Sequence, residues 1–261
     1  MSIEQPCLVN VLGVGLSVTN LPEAAKLILD TISEGCRGYV CVTGVHGVSV
    51  AQGNAEFRRI LNNSLLNVPD GMPMSWIGWI QGHKTMDRVY GPDLMLEISE
   101  QGIPLQIRHF YYGGKSGVAP LLKDKMMQRF PGLNVVGTYT PPFRPLSDVE
   151  IDELRSTISK MKPDIVWIGL STPKQEKCAA DFFSRLLDSK VFIAVGAAFD
   201  FHAGLVLQSP HWMQRAGLEW LFRLFVEPKR LWKRYLINNP LFIIRIILQL
   251  SGVRKYKLCR N

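Results

Sequence analysis

Short runs of β-branched and aromatic residues alternate along the chain with longer stretches whose apolar positions recur at helical spacing. The pattern predicts strands over Val9–Gly15, Gly38–Thr43, Leu65–Val68, Gln106–Tyr112, Asn134–Thr138, Ile165–Gly169 and Val191–Val195. Between them it predicts helices over Pro22–Ser33, Asn54–Asn62, Gly71–Gln81, Gly91–Gln101, Gly117–Phe130, Ser147–Met161 and Pro173–Leu187. Regular alternation of strand and helix predicts an α/β fold, with a Rossmann-like, largely parallel sheet and helices on both faces. That rhythm ends near residue 214. Beyond it Leu218, Leu221, Phe222 and Phe225 keep helical spacing, as do Trp232 and Tyr235, and an apolar segment Leu241–Leu250 follows. The expected organisation is an α/β core over 1–214 and a C-terminal basic and aromatic helical appendage over 215–261. The Pro141–Pro145 loop reads either as a hinge or as an ordinary strand-to-helix turn.

Charge sharpens this division. The 261 residues carry a net charge of +8. Residues 215–261 hold eleven Lys/Arg against two Glu, whereas the preceding 214 residues hold 19 basic and 20 acidic side chains. All the excess positive charge therefore lies in the appendage, which implies an anionic partner. Arg223, Lys229, Arg230, Lys233 and Arg234 interleave with Trp220, Trp232 and Tyr235. Cations, aromatics and a short apolar segment fit an interfacial element on an anionic membrane. Nucleic acid is the poorer match, because the segment is rich in bulky aliphatics. No window reaches the roughly 18 apolar residues of a membrane span; the nearest, Pro240–Val253, is short and contains Arg245. The N-terminus lacks the basic start and apolar run of a signal peptide. Five widely spaced cysteines without a CxxC pair suit a reducing compartment better than a disulfide framework or zinc site. Cytoplasmic residence, peripheral to the membrane, is the expectation.

Ligands of parallel sheets gather beyond the carboxyl ends of the strands. Five loops at such positions carry suitable chemistry: Thr43–His46, Pro69–Gly71, Gly113–Lys115, Ser171–Gln175 and Ala197–Asp200. Gly113-Gly-Lys-Ser-Gly117 offers close backbone approach and helix-start N–H groups to a phosphate, although its glycine spacing is not that of a P-loop. Read blandly, it is a plain strand-to-helix turn. Gly13-Val-Gly15 lacks the third glycine of a dinucleotide fingerprint. Asp70, on a Pro-Asp-Gly turn after a strand, reads equally as a general base or as a helix N-cap. His46 and His202 lie in candidate site loops, where a lone histidine is more often structural. No histidine pair has metal-ligand spacing, and an Asp-x-Asp motif is absent. Asp148, Glu150 and Asp152 read as solvated acids, with Ser147 and Glu150 forming a capping box.

Taken together, the motifs Asn67-Val-Pro-Asp70-Gly71, Arg88-Val-Tyr-Gly91-Pro-Asp93-Leu94, Phe110–Gly114, Gly169-Leu-Ser-Thr-Pro-Lys-Gln175-Glu176, Gly196–Asp200 with Gly204, and Leu218-Glu219-Trp220…Arg223…Glu227-Pro228-Lys229-Arg230 resemble the WecG/TagA/CpsF family of bacterial glycosyltransferases. The resemblance covers about Val9 to Leu236. It implies inverting, metal-independent transfer of a hexose-type sugar from a UDP-sugar to a polyprenyl-diphosphate-linked saccharide at the cytoplasmic membrane face, in surface-polysaccharide synthesis. No cofactor, metal or nucleic acid is implied, and a homo-oligomer is compatible with it. Asp70 matches the family's proposed catalytic base and Thr43 a nearby active-site threonine. Gln175 and Asp200 match donor-binding positions. An asparagine common two positions after the threonine is Val45 here, followed by His46, so sugar recognition is expected to differ. His46, Arg88, Asp93, Gly113, Gly114, Lys115, Gly169, Pro173, Lys174 and Phe199 complete the expected substrate-binding set. Arg88 is the expected cation for the leaving UDP, with Lys115 and Lys174 as alternatives. Arg215, Arg223, Arg230, Lys233 and Arg234 are expected to meet the acceptor diphosphate and the membrane. Arg223 and Arg230 would share one helix face only if the helix ran through Pro228. Two other readings compete: a nucleotide-binding oxidoreductase with a parallel sheet, and a non-catalytic module that tethers a complex to the membrane.

Overall fold

The structure is a computed structural model that describes residues 5–186 and 188–258; the side chain of Arg234 lies outside the described set, as do Leu187 and Cys259. The fold is α/β. Strands β3 (Gly38–Thr43), β4 (Leu66–Pro69), β5 (Arg108–Gly113), β6 (Asn134–Tyr139), β7 (Ile165–Gly169) and β8 (Val191–Ala194) form a six-stranded parallel sheet flanked by helices, in the order β4-β3-β8-β7-β5-β6. The expected single strand over Val9–Gly15 is instead a hairpin, β1 (Leu8–Val11) and β2 (Val14–Ser17), paired antiparallel from Leu8↔Ser17 to Val11↔Val14. Leu12 and Gly13 turn the chain at positive φ. In the sequence, Gly13 is the signal of that turn.

The chain forms two compact units, with β3 passing from one to the other after Cys41. The first comprises Pro22–Cys41 and Gly91–Val206. Its strands are Val/Ile/aromatic runs because helices cover both faces of a parallel sheet. Ile165, Val166, Trp167 and Ile168 of β7 and the whole of β8 are fully buried. β7 registers with β8 from Ile165↔Val191 to Ile168↔Ala194. Trp167 Nε1 donates to His109 Nδ1 at 2.9 Å, the two rings lying parallel. Burial drives the His109 imidazole down to about 4, so it stays neutral at physiological pH. Helices α1 (Leu21–Ser33, apart from its first residue), α5 (Gly91–Gln101), α6 (Val118–Arg129), α7 (Asp148–Met161), α8 (Lys174–Arg185) and α9 (Ala198–His202) belong here. The capping box read from Ser147 and Glu150 opens α7. His202 Nε2 donates to the Pro92 carbonyl at 3.0 Å, a structural role.

The second unit comprises Gln5–Leu21, Val42–Tyr90 and the described residues from Leu207 onward. Helix α2 (Val45–Gly53), which periodicity did not announce, precedes α3 (Ala55–Asn62). Val45–Gly53 mixes short apolar, glycine and polar residues with little contrast between faces, so no face stands out in the sequence. Asn62 and Asn67 fasten the hairpin: Gly15 N donates to Asn62 Oδ1, and Asn67 Nδ2 donates to the Gly15 carbonyl. Helix α4 (Met72–Ile80) follows β4. The tail forms α10 (His211–Arg215), α11 (Glu219–Val226) and α12 (Pro228–Leu250). Glu227 separates α11 from α12, so Arg223 and Arg230 stand on different helices; Pro228 opens the second helix, where its missing N–H costs nothing. Leu231, Tyr235, Phe242 and Ile246 form the buried stripe of α12. Gln249 near its end clasps the hairpin, accepting from Leu12 N and donating to the Asn10 carbonyl.

Candidate active site

In the first unit three strand-end loops carry the expected donor-binding residues. Gly113, with φ +133, ends β5; a Cβ there would stand 2.5 Å from the Gly169 carbonyl oxygen, and Gly114 N donates to that oxygen at 2.9 Å. Gly113 and Gly114 therefore allow β5 and β7 to close at their carboxyl ends. Lys115 is exposed beyond them, two residues before Gly117, the N-cap of α6. At the end of β7, a Cβ on Gly169 would meet the Phe199 ring at 2.4 Å. Phe199 is fully buried against that glycine and lies edge-on to Tyr111. Pro173 follows a cis peptide bond and caps α8, whose first residue, Lys174, is exposed. Gln175 is buried, Asp200 is half-buried in α9, and Asp93 lies in the first turn of α5.

In the second unit Thr43 and Asp70 meet. Asp70 N donates to the Thr43 carbonyl at 3.0 Å. The Thr43 side chain is buried, and its Oγ1 has no hydrogen-bond partner. Between Thr43 and α2, Gly44 keeps the space open: a Cβ there would stand 2.8 Å from the Asp70 carbonyl oxygen and 3.5 Å from its Oδ2. Gly71, at φ +87, is the residue that caps α4, with no side-chain cap; Asp70 stands one residue earlier, half-exposed at the end of β4. His46 lies in the first turn of α2.

The segment after α4 binds the tail. Arg88 donates to Gln214 Oε1 and forms an ion pair with Glu219 Oε2 at 3.4 Å, and its guanidinium lies 4.4 Å from the Tyr90 ring centroid. Tyr90 Oη donates to Glu219 Oε1 at 2.9 Å. Burial, then the charges of Glu219 and Asp70, push the Tyr90 phenol far above its ordinary range, so it remains a donor. Asp87 faces Arg215 at 3.5 Å. Between α10 and α11, Gly217 at φ +70 makes room for Trp76, whose ring a Cβ would meet at 2.6 Å. Arg223 is mostly buried, which alone would disfavour its charge, yet Tyr235, Tyr90, Glu219 and Glu227 hold its pKa above the ordinary value. Arg230 pairs with Glu227, and Lys233 lies over the Trp232 ring. The opposite side of α12 is an exposed apolar ridge including Leu236, Ile237, Ile243, Ile244 and Ile247.

Sequence reasoning did not single out Gly44, Tyr90, Gln214 or Glu219 as site residues. A signal existed for Glu219. Residues 215–261 contain only two acids, Glu219 and Glu227. Each serves as a counter-charge, Glu219 for Arg88 and Glu227 for Arg223 and Arg230. Among the described residues no cluster of three or more His, Cys, Asp or Glu could hold a metal ion.

The model of the "Glycosyl transferase WecG/TagA/CpsF family" matches residues 9–256. The chain belongs to this family. It is a glycosyltransferase, and the oxidoreductase and tethering readings fall away. Similar proteins include three named N-acetylglucosaminyldiphosphoundecaprenol N-acetyl-beta-D-mannosaminyltransferase. That of Bacillus subtilis is 29% identical over 74% of this chain and 72% of its own length. Its counterpart in Bacillus spizizenii is 25% identical over 76% of this chain and 74% of its own length. In Staphylococcus aureus the relative is 22% identical, covering 80% of both chains.

Proposed function

We propose that this glycosyltransferase moves a hexose-type sugar from a UDP-sugar to a polyprenyl-diphosphate-linked N-acetylglucosamine, with inversion and without a metal, in the synthesis of a bacterial surface polysaccharide. The acceptor class comes from the relatives' names, which also give an N-acetylmannosaminyl group as the sugar those proteins transfer. The observation that carries the chemistry is the backbone hydrogen bond that sets Asp70 beside Thr43, whose buried hydroxyl has no hydrogen-bond partner. Asp70 takes the proton of the acceptor hydroxyl as that oxygen attacks the anomeric carbon. Thr43 Oγ1 supplies a hydrogen bond to the sugar under attack, which relieves an otherwise unfavourable buried hydroxyl.

The leaving UDP needs its developing charge balanced. Arg88 already faces Glu219 and Gln214. The exposed Lys115 and Lys174, beside the starts of α6 and α8, carry that charge in this account, with helix-start N–H groups. Gln175 and Asp200 hold the donor. Arg215, Arg223, Arg230 and Lys233 serve the acceptor diphosphate, the three guanidinium groups matching phosphate geometry bidentately. No helix among the described residues is long and apolar enough to cross a membrane. The exposed ridge of α12, with Arg230 and Lys233 at its start, supports peripheral attachment to an anionic cytoplasmic leaflet.

A panel of UDP-sugars against undecaprenyl-diphosphate N-acetylglucosamine, read by UDP release with EDTA present, tests the proposal. Release that needs both the lipid acceptor and one UDP-sugar is expected. Activity that appears only when a divalent ion is restored would remove the metal-independent mechanism, and transfer only from a different nucleotide-sugar would remove the donor assignment.

A further inference from the structure

A carboxylate is buried at the start of α8. Glu176 is 1% exposed and its neighbour Gln175 3%. Glu176 is the third residue of the helix, where free N–H groups favour negative charge. Its Oε1 accepts from Thr172 Oγ1 at 2.7 Å and from Gln175 Nε2 at 3.1 Å. The second bond decides which way the Gln175 carboxamide faces, because a carboxylate oxygen accepts and only the NH2 end can donate to it. Gln175 Oε1 is thereby turned away from Glu176, buried and without a hydrogen-bond partner. The carboxamide faces the loop after β8, oxygen nearer: a Cβ built on Gly196, at φ +59, would stand 3.4 Å from Oε1 and 3.7 Å from Nε2. A buried amide oxygen without a donor is unfavourable and marks a place where a ligand can supply one.

We infer that Glu176 is a positioning residue that fixes the Gln175 carboxamide with its oxygen toward the Gly196 loop, where it selects a donor substrate presenting an N–H or O–H group. This rests on the reading that the strand-end loops of the first unit bind a UDP-sugar. The selected hydrogen belongs either to the nucleobase or to the sugar. Analogues lacking it are rejected because the oxygen is then left unsatisfied.

Calorimetric titration of the full chain with UDP and with the UDP-sugar panel tests the inference, together with steady-state kinetics of two variants. Gln175→Met keeps the side-chain length and removes the acceptor; UDP-sugar affinity is expected to fall about tenfold or more. An equal loss for UDP alone assigns the hydrogen to the nucleotide, and a loss for UDP-sugar only assigns it to the sugar. Glu176→Gln keeps the shape but can present either end of its own amide to Gln175. It is expected to raise the donor KM about three- to tenfold, with kcat, acceptor KM and melting temperature nearly unchanged. If wild-type protein binds donor and Gln175→Met binds it equally well, the inference fails while the donor reading stands. A Glu176→Gln variant that loses stability and kcat with an unchanged donor KM would reduce Glu176 to a structural acid. Wild-type protein that binds neither UDP nor any UDP-sugar would overturn the donor reading and this inference with it.

Discussion

Arg88 ties Gln214 and Glu219 to the segment that also carries Tyr90, and the strength of that tie can be worked out. At 3.4 Å, with side chains only 11% and 18% exposed, the ion pair has a gross attraction of about 5 kcal/mol at an effective dielectric constant of about 20. Desolvation offsets much of this. The hydrogen bond to the buried Gln214 adds about 1.5–3 kcal/mol and stacking on Tyr90 about 1 kcal/mol. Removing the guanidinium also leaves Glu219 and Gln214 poorly paired. Arg88→Met should therefore destabilise the protein by about 3 kcal/mol, and Glu219→Gln by about 1–2 kcal/mol. The double variant should lose less than the sum, by at least about 1 kcal/mol, because one interaction is counted twice. Urea unfolding, followed by tryptophan fluorescence, measures all four proteins. Trp76, Trp212, Trp220 and Trp232 all belong to the same unit as the clasp, so the probe reports on it. Single effects that add to within about 0.5 kcal/mol would refute the coupling.

His109 should make stability depend on pH. Its folded-state pKa of about 4 lies below the unfolded value of about 6.5, so the unfolded chain takes up the proton first. The contribution is complete above pH 6.5 and falls by about 3 kcal/mol toward pH 4; His109→Gln should flatten that part of the curve, and an unchanged slope would count against it. Gly169→Ala puts a methyl group into the Phe199 ring and should cost about 1–3 kcal/mol in urea unfolding. An alanine variant as stable as the parent would contradict the packing described. Changing Ile243, Ile244 and Ile247 together to Ser should weaken sedimentation with anionic liposomes about tenfold or more, with the fold intact by circular dichroism. Undiminished binding would remove the α12 ridge from the membrane contact.

The alternation of β-branched runs with amphipathic stretches was enough to read the α/β class, because strands covered on both faces are almost uniformly apolar. The strand ends at Gly169 and Thr43 were legible for the same reason. Two features were hidden. The Val9–Gly15 run is apolar through its own turn, so only Gly13 signals that the strand doubles back. Helix α2 is short, and its polar residues contrast only weakly with the small ones on its buried side, Gly47, Val48 and Ala51. At the site, Asp70, Thr43 and Gln175 stood out through their motifs and their positions at strand ends. Gly44, Gln214 and Tyr90 did not, because their roles arise from close approach between segments distant in sequence. The spacing of Arg223 and Arg230 suggested a shared face, yet the break at Glu227 separates them.

The central claim is that Asp70 removes the acceptor proton. Its most direct test is the single-turnover rate of Asp70→Asn beside its calorimetric affinity for UDP-sugar, with undecaprenyl-diphosphate N-acetylglucosamine as acceptor. Asparagine keeps the shape and cannot take the proton. A rate lowered at least about a hundredfold is predicted, with donor affinity within about threefold of the parent. A variant that transfers sugar at close to the parental rate would contradict it.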